Sequence, residues 1–208
     1  MIKKWFENLW YHYKWFIITA VLAVFVITVV TAQCATRPQY DLSLVVSFTK
    51  TAMSTEQIEV IKTGLTKYAK DYNGDGEINL NLINCTFDED SEDVNYVISM
   101  RQKLQVSAMG ESSAILYITD DNAFSYIDDI KADVGGFFQN ADLPLFNGKA
   151  LKISDFDFYK ELKKAPGEIP QNIYISKRII KDTLIELEAD VKFYEEASDD
   201  LLNNLKKK

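Results

Sequence analysis

The chain has 208 residues, 23 basic against 31 acidic side chains for a formal net charge of −8, and a single histidine. Once an N-terminal apolar run is set aside, that length suits one folded domain, and the acidic balance excludes nucleic acid as a partner while favouring cations, basic ligands or a basic protein. His12 precedes the apolar run, so the rest of the chain has no imidazole for a Ser-His or Cys-His catalytic system or a conventional zinc site. Walker and GxGxxG phosphate loops are absent from the sequence.

The apolar run from Trp15 to Ala32 approaches the roughly 17 to 25 residues that a helix needs to cross a bilayer. Lys3, Lys4 and Lys14 precede it against one acid, Glu7, while the first charges beyond it are Arg37 and Asp41. This bias predicts a cytoplasmic N-terminus and an exported remainder. Trp5, Trp10, Tyr11, Tyr13 and Trp15 form an aromatic belt at the interface. Two alternatives also export the domain: cleavage after Val30-Thr31-Ala32, or lipidation of Cys34. The run is longer than a usual signal core, and the bulky Gln33 precedes Cys34, so a retained anchor is the expectation. The predicted order is a cytoplasmic segment (1–14), a membrane anchor (15–34), a linker (35–39) and an extracytoplasmic domain (40–208). Three Lys and one acid lie within residues 1–34, leaving 20 basic and 30 acidic residues outside, a charge near −10.

Tyr40 to Phe48 (YDLSLVVSF) is rich in alternating and β-branched apolar residues and reads as a strand. Ser54 and Gln57 form a capping box for a helix carrying Ile58, Ile61, Leu65 and Tyr68. Ile78 to Phe87 is a second strand, Val94 to Gly110 a second helix, and Ala114 to Ile118 a strand apolar enough to be covered on both faces. Cys85 falls in the second strand as a small buried hydrophobe. Asn122 to Ile130 reads as a helix, Gly135-Gly136 as a break, Ala150 to Ile153 as a short strand, and Phe156 to Leu162 as a short helix. Asn172 to Ile180 is a further strand. A final helix bearing Leu187, Val191, Tyr194, Leu201 and Leu205 packs on the domain's own sheet. The predicted fold is α/β, a three-layer domain with a mainly parallel sheet around a βαβαβ core.

The order of elements from Tyr40 to Asn122 resembles the first lobe of bacterial extracellular solute-binding proteins of ABC importers. The likeness rests on the pattern of strands and helices, including QKLQVSAMGESS leading into a buried strand that ends at Asp120-Asp121. It implies the fold of one lobe; the chain is too short for a second lobe and its hinge.

The most specific local pattern is DYNGDGEIN, Asp71 to Asn79, which resembles the calcium loop of EF-hands and dockerin modules. Asp71, Asn73 and Asp75 fall at positions 1, 3 and 5, Gly76 supplies the sharp turn, and Glu77 offers its carbonyl at position 7. Leu82 stands where the bidentate acid belongs. The resemblance implies a calcium site closed by an acid from elsewhere, and Asp41 and Glu111 lie on the correct edge of a parallel sheet. The other reading is a helix-to-strand turn built from Asp, Asn and Gly. The linker, spanning at most roughly 17 Å, would keep this edge near the bilayer.

Open parallel sheets bind ligands beyond the carboxyl ends of their strands. There the sequence places Thr49 and Lys50, the acidic run from Asp88, and Asp120, Asp121 and Asn122 as a candidate ligand site. The acids have a structural alternative as helix-start residues. The expectation is a membrane-tethered binding or interaction module, with calcium as the cofactor that the loop resemblance implies, that takes a small ligand or a membrane-protein partner. A carboxylate-dependent envelope hydrolase using Asp120 and Asp121 as acid and base is the other reading.

Overall fold

A computed structural model describes residues 2–35, 40–110, 114–129, 138, 149–154, 156–179 and 188–207. The chain divides into two compact units, Met1–Gln39 and Tyr40–Lys208. The first is a single helix, α1 (Ile2–Ala35), which continues through the aromatic belt because no Gly or Pro interrupts it. Within it Trp10–Ala32 has no buried residue and contains an 18-residue window of mean hydropathy 2.6, so it is long and apolar enough to cross a membrane. Thr19, Thr28 and Thr31 turn their hydroxyls back onto helix carbonyls four residues earlier, which satisfies them without water.

The second unit runs β1 (Leu42–Ser47), α2 (Thr55–Thr66), β2 (Leu80–Asn84), α3 (Val94–Gly110), β3 (Ala114–Thr119), α4 (Asp121–Asp129), β4 (Ala150–Lys152), α5 (Asp157–Leu162), β5 (Tyr174–Lys177) and α6 (Glu188–Lys206). The predicted capping box is formed: Gln57 N–H donates to Ser54 Oγ at 3.2 Å and Ser54 N–H to Gln57 Oε1 at 2.8 Å. The predicted break at Gly135-Gly136 lies outside the described residues, as does Glu111.

The five strands form one sheet in the order β2-β1-β3-β5-β4. β1 pairs in parallel with β2 and β3, as the alternation of strands and helices predicted. The expectation of a mainly parallel sheet is corrected, since β5 runs antiparallel to both β3 and β4 and the sheet is mixed. The connection through α5 leaves the end of β4 and re-enters at Tyr174, the register partner of Lys152, at the same end of the sheet, so β5 runs back antiparallel between β3 and β4.

Every residue of β1 and β3 is buried. Period-2 alternation sends Leu42, Leu44, Val46 and Phe48 into a core with α2, α5 and α6. Val45, Tyr117 and Cys85 face a second core with Leu104, Phe124, Ile127 and Phe138. The last helix thus packs on the domain's own sheet, through Ala197, Leu201, Leu202 and Leu205. α2 and α5 approach closely at Gly64, where a Cβ would overlap the Phe158 ring. The chain passes from β1 to β2 on one side and returns to β3 on the other, so the β1/β3 boundary is the topological switch point.

Candidate functional site at the two edges of the sheet

At the amino edge, Asp41 is wholly buried, and its carboxylate joins β1 to the Asp71 loop. Its Oδ1 accepts the N–H groups of Tyr72 (2.7 Å) and Asn73 (3.0 Å), and its Oδ2 accepts that of Asn79 (2.7 Å). Asp71 closes the loop on itself, with Oδ1 accepting from Gly74 (2.6 Å) and Asp75 (3.2 Å) and Oδ2 from Gly76 (2.8 Å). Asn73 Oδ1 accepts from Asp75 N–H at 2.8 Å, and Asp75 Oδ1 from Glu77 N–H at 2.9 Å. Gly74 and Gly76 have φ of 77° and 93°, a region that side chains disfavour. Asp41, one of the two acids expected to complete a calcium shell, is here a backbone acceptor. Among the described residues no group of three His, Cys, Asp or Glu is placed to hold a metal ion.

Next to this loop, Tyr72 Oη donates to Asp200 Oδ2 at 3.0 Å and Lys70 Nζ lies 2.9 Å from Asp200 Oδ1. Lys70 holds the Asp200 carboxyl below its usual range, whereas burial and then the Asp200 bond push the Tyr72 phenol up.

At the carboxyl edge the structure brings together Thr49, Asp120 and Asp121. Asp120 follows β3 and caps α4, Oδ1 accepting Ala123 N–H at 2.7 Å while Oδ2 lies 3.4 Å from Thr49 N–H across the switch point. It is 5% exposed rather than on an open rim. Burial raises its carboxyl above the ordinary value, against the opposing bonds from Ala123 and Thr49. Asp121 is engaged on the other side, by Tyr174 Oη at 2.8 Å and Asn172 Nδ2 at 3.2 Å. The Tyr174 phenol is pushed up to about 12, by burial first and then by Asp121.

Lys50 and Asp88 pair through an isolated antiparallel bridge and Asn122 is exposed on α4, so these three stand at the rim. The acidic run serves mainly local structure. Asp93 Oδ1 accepts Tyr96 N–H at the start of α3, Asp88 Oδ1 accepts Asp90 N–H, and Glu89 pairs with Arg101.

Sequence reasoning singled out Thr49 but missed the other hydroxyls around it. Ser47, Thr49, Thr119 and Ser176 are buried, and their side-chain oxygens have no hydrogen-bond partner among the described residues. Ser47 is the register partner of Thr119, Thr119 of Tyr174, and Tyr117 of Ser176. All four therefore project on the face shared by Val45 and Tyr117, and Ser47, Thr49 and Thr119 gather at the switch point beside Asp120. The available signal was the alternation of Ser43, Ser47 and Thr49 along one face of an otherwise apolar strand.

No family model matches the chain, and neither the curated proteins nor the solved structures give a significant match. The class of protein is therefore defined by its architecture: an α/β domain with a mixed five-stranded sheet, behind one helix able to span a membrane.

Proposed function

We propose that the chain is a membrane-tethered binding module whose domain lies outside the cell, serves a transporter or an envelope assembly, and takes a small polar ligand at the carboxyl ends of β1 and β3. The observation that carries this reading is the set of buried hydroxyls at Ser47, Thr49 and Thr119, without partners among the described residues, beside the buried Asp120. A buried polar group left without a bond costs about 1 to 3 kcal/mol, so a fold that retains several at its switch point has bonding capacity for something else. The acidic surroundings and the burial of Asp120 favour a neutral or cationic ligand rich in hydroxyl or amine groups over an anion. Native mass spectrometry of the purified full-length protein is the test. Wild type should carry a small molecule that Thr49→Val with Thr119→Val loses; wild type without any adduct, or a variant that keeps it, overturns the reading.

A second reading, a carboxylate-dependent hydrolase, draws on the raised Asp120 carboxyl next to Asp121. It is weaker because both carboxylates are already engaged, Asp120 as a helix cap and Asp121 by Tyr174 and Asn172. Calcium in the Asp71 loop is a proposal resting on the sequence pattern alone.

A further inference from the structure

Among the described residues β2 is an end strand of the sheet, and it pairs with β1 only. Cys85 N–H donates to Val46 O and Phe87 N–H to Phe48 O, so alternation turns the backbone groups of Leu80, Leu82 and Asn84 away from β1. The bond from Lys103 Nζ to Asn84 O, 2.8 Å, confirms that direction. Beyond Asn84 the edge closes, because the Asn84 side-chain oxygen accepts Thr86 N–H at 2.9 Å. Alongside runs a groove of about 760 Å³ between β2 and α3, lined by Leu82, Ile83, Asn84, Lys103 and Val106 among others. Val106 is 67% exposed at its rim, and Ile98 on the same helix 48%. An open strand edge next to apolar side chains is a template for a further strand, which native folds normally cover or blunt.

We infer that the β2 edge and the α3 groove receive an extended basic segment of another protein, which adds as a sixth strand. Charge selects this occupant. Lys103 is the one charged side chain among the lining residues, and its ammonium is engaged by Asn84 O. Asp75 and Glu77 precede the strand, and Asp90, Glu92 and Asp93 follow it, all exposed. A segment with apolar residues at its centre and Lys or Arg at both ends would match them. A second copy of this chain is disfavoured, since self-pairing would bring these same acids together. Leu80 is fully buried, so on strand addition it is the main-chain groups of Leu82 and the Asn84 N–H that gain partners, and Val106 is covered.

The test uses full-length protein in detergent and the synthetic peptide Lys-Lys-Val-Thr-Val-Thr-Val-Lys-Lys, with a peptide carrying Glu in place of Lys as control. Hydrogen exchange of the Leu82 and Asn84 amides should slow at least tenfold with the basic peptide and stay unchanged with the acidic one. Val106→Asp should abolish that protection while leaving exchange of the β1 and β3 amides as in wild type. Lys103→Met, which uncovers Asn84 O, should tighten peptide binding. Equal protection by both peptides, none by either, or protection that depends on protein concentration without peptide would each overturn the inference, the last in favour of self-pairing. The ligand reading at the switch point is unaffected by any of these results, because the hydroxyl variants there leave the β2 edge intact.

Discussion

At the amino edge of the sheet Asp41 gives its two oxygens to three backbone N–H groups, whereas at the carboxyl edge Asp120 lies among hydroxyls that have no partner among the described residues. Both carboxylates are buried and both sit at a strand end. The amino edge is closed: each Asp and Asn of the loop accepts at least one N–H from the loop itself or its neighbours, so its polar atoms serve the fold. The carboxyl edge combines a capping role with surplus donors and acceptors. An acidic cluster by itself therefore says little about binding, and the state of its hydrogen bonds separates scaffold from candidate site.

The largest effect expected from this contrast is at Asp41. Replacement by Ala strands three N–H groups at the root of β1, and at about 1 to 3 kcal/mol for each unsatisfied buried group the loss should reach roughly 3 kcal/mol or more. Urea denaturation of wild type, Asp41→Asn and Asp41→Ala measures it, with Asn intermediate because it keeps one acceptor oxygen. An Ala variant within about 0.5 kcal/mol of wild type, the range of an ordinary surface change, would show that water replaces the carboxylate and that this edge is not closed.

Asp120 comes next. Loss of a helix cap costs about 1 to 2 kcal/mol, so Asp120→Ala should destabilise by that amount. The pH dependence adds a sign. A carboxyl raised in the folded state contributes stability that is fully present below its unfolded value and is lost as pH rises through its folded value. The stability of Asp120→Asn relative to wild type should therefore improve as pH climbs from about 4, the ordinary carboxyl value. Asp200 behaves oppositely, because Lys70 lowers its folded value: its contribution is present above the unfolded value and fades as pH falls through the lowered one. Denaturant midpoints measured against wild type should improve for Asp120→Asn as pH climbs from about 4 and for Asp200→Asn as pH falls from about 4, and curves that change with the same sign in the same window would refute the contrast.

These two residues also show what the sequence made legible. The βαβαβ order, the Ser54 capping box and the packing of α6 followed from periodicity and cap chemistry, which are local. The direction of β5 did not, since strand polarity depends on how α5 returns the chain and no local pattern of Asn172 to Ile180 encodes that. Asp120 and Thr49 were placed together correctly because topology alone brings the ends of β1 and β3 side by side. The burial of Asp120 and the bonds from Tyr174 and Asn172 to Asp121 were not foreseen, because both depend on β5 lying next to β3. Asp41 was on the correct edge, yet sequence spacing does not reveal whether a carboxylate faces a cation or backbone N–H groups.

Thr49 and Thr119 give a smaller effect with a diagnostic sign. Replacing a hydroxyl without a partner by an isosteric methyl removes a desolvation penalty, so Thr49→Val and Thr119→Val should be neutral or more stable by up to about 1 kcal/mol. Destabilisation beyond about 1 kcal/mol in either, read from the same urea curves, would show a bonded hydroxyl and remove the spare capacity on which the proposed ligand site rests.

The smallest effect concerns calcium at the Asp71 loop. Asp71 Oδ1 accepts two N–H groups and Oδ2 one, while each Asp75 oxygen accepts one hydrogen, so only part of their capacity is left for a cation. With position 12 occupied by Leu82, the proposed site belongs with the weak extracellular class, with a dissociation constant of about 10⁻³ M. Calcium at a concentration equal to that constant would add about 0.4 kcal/mol by mass action, a rise of about a degree in the melting temperature. Melts of the full-length protein in calcium and in chelator, with Asp75→Ala alongside, give the answer. A rise confined to wild type supports a cation at the loop. An equal rise in the variant, or none in wild type, leaves Asp71, Asn73 and Asp75 as a self-capped turn whose side chains bond only within the loop, and makes the amino edge closed without exception.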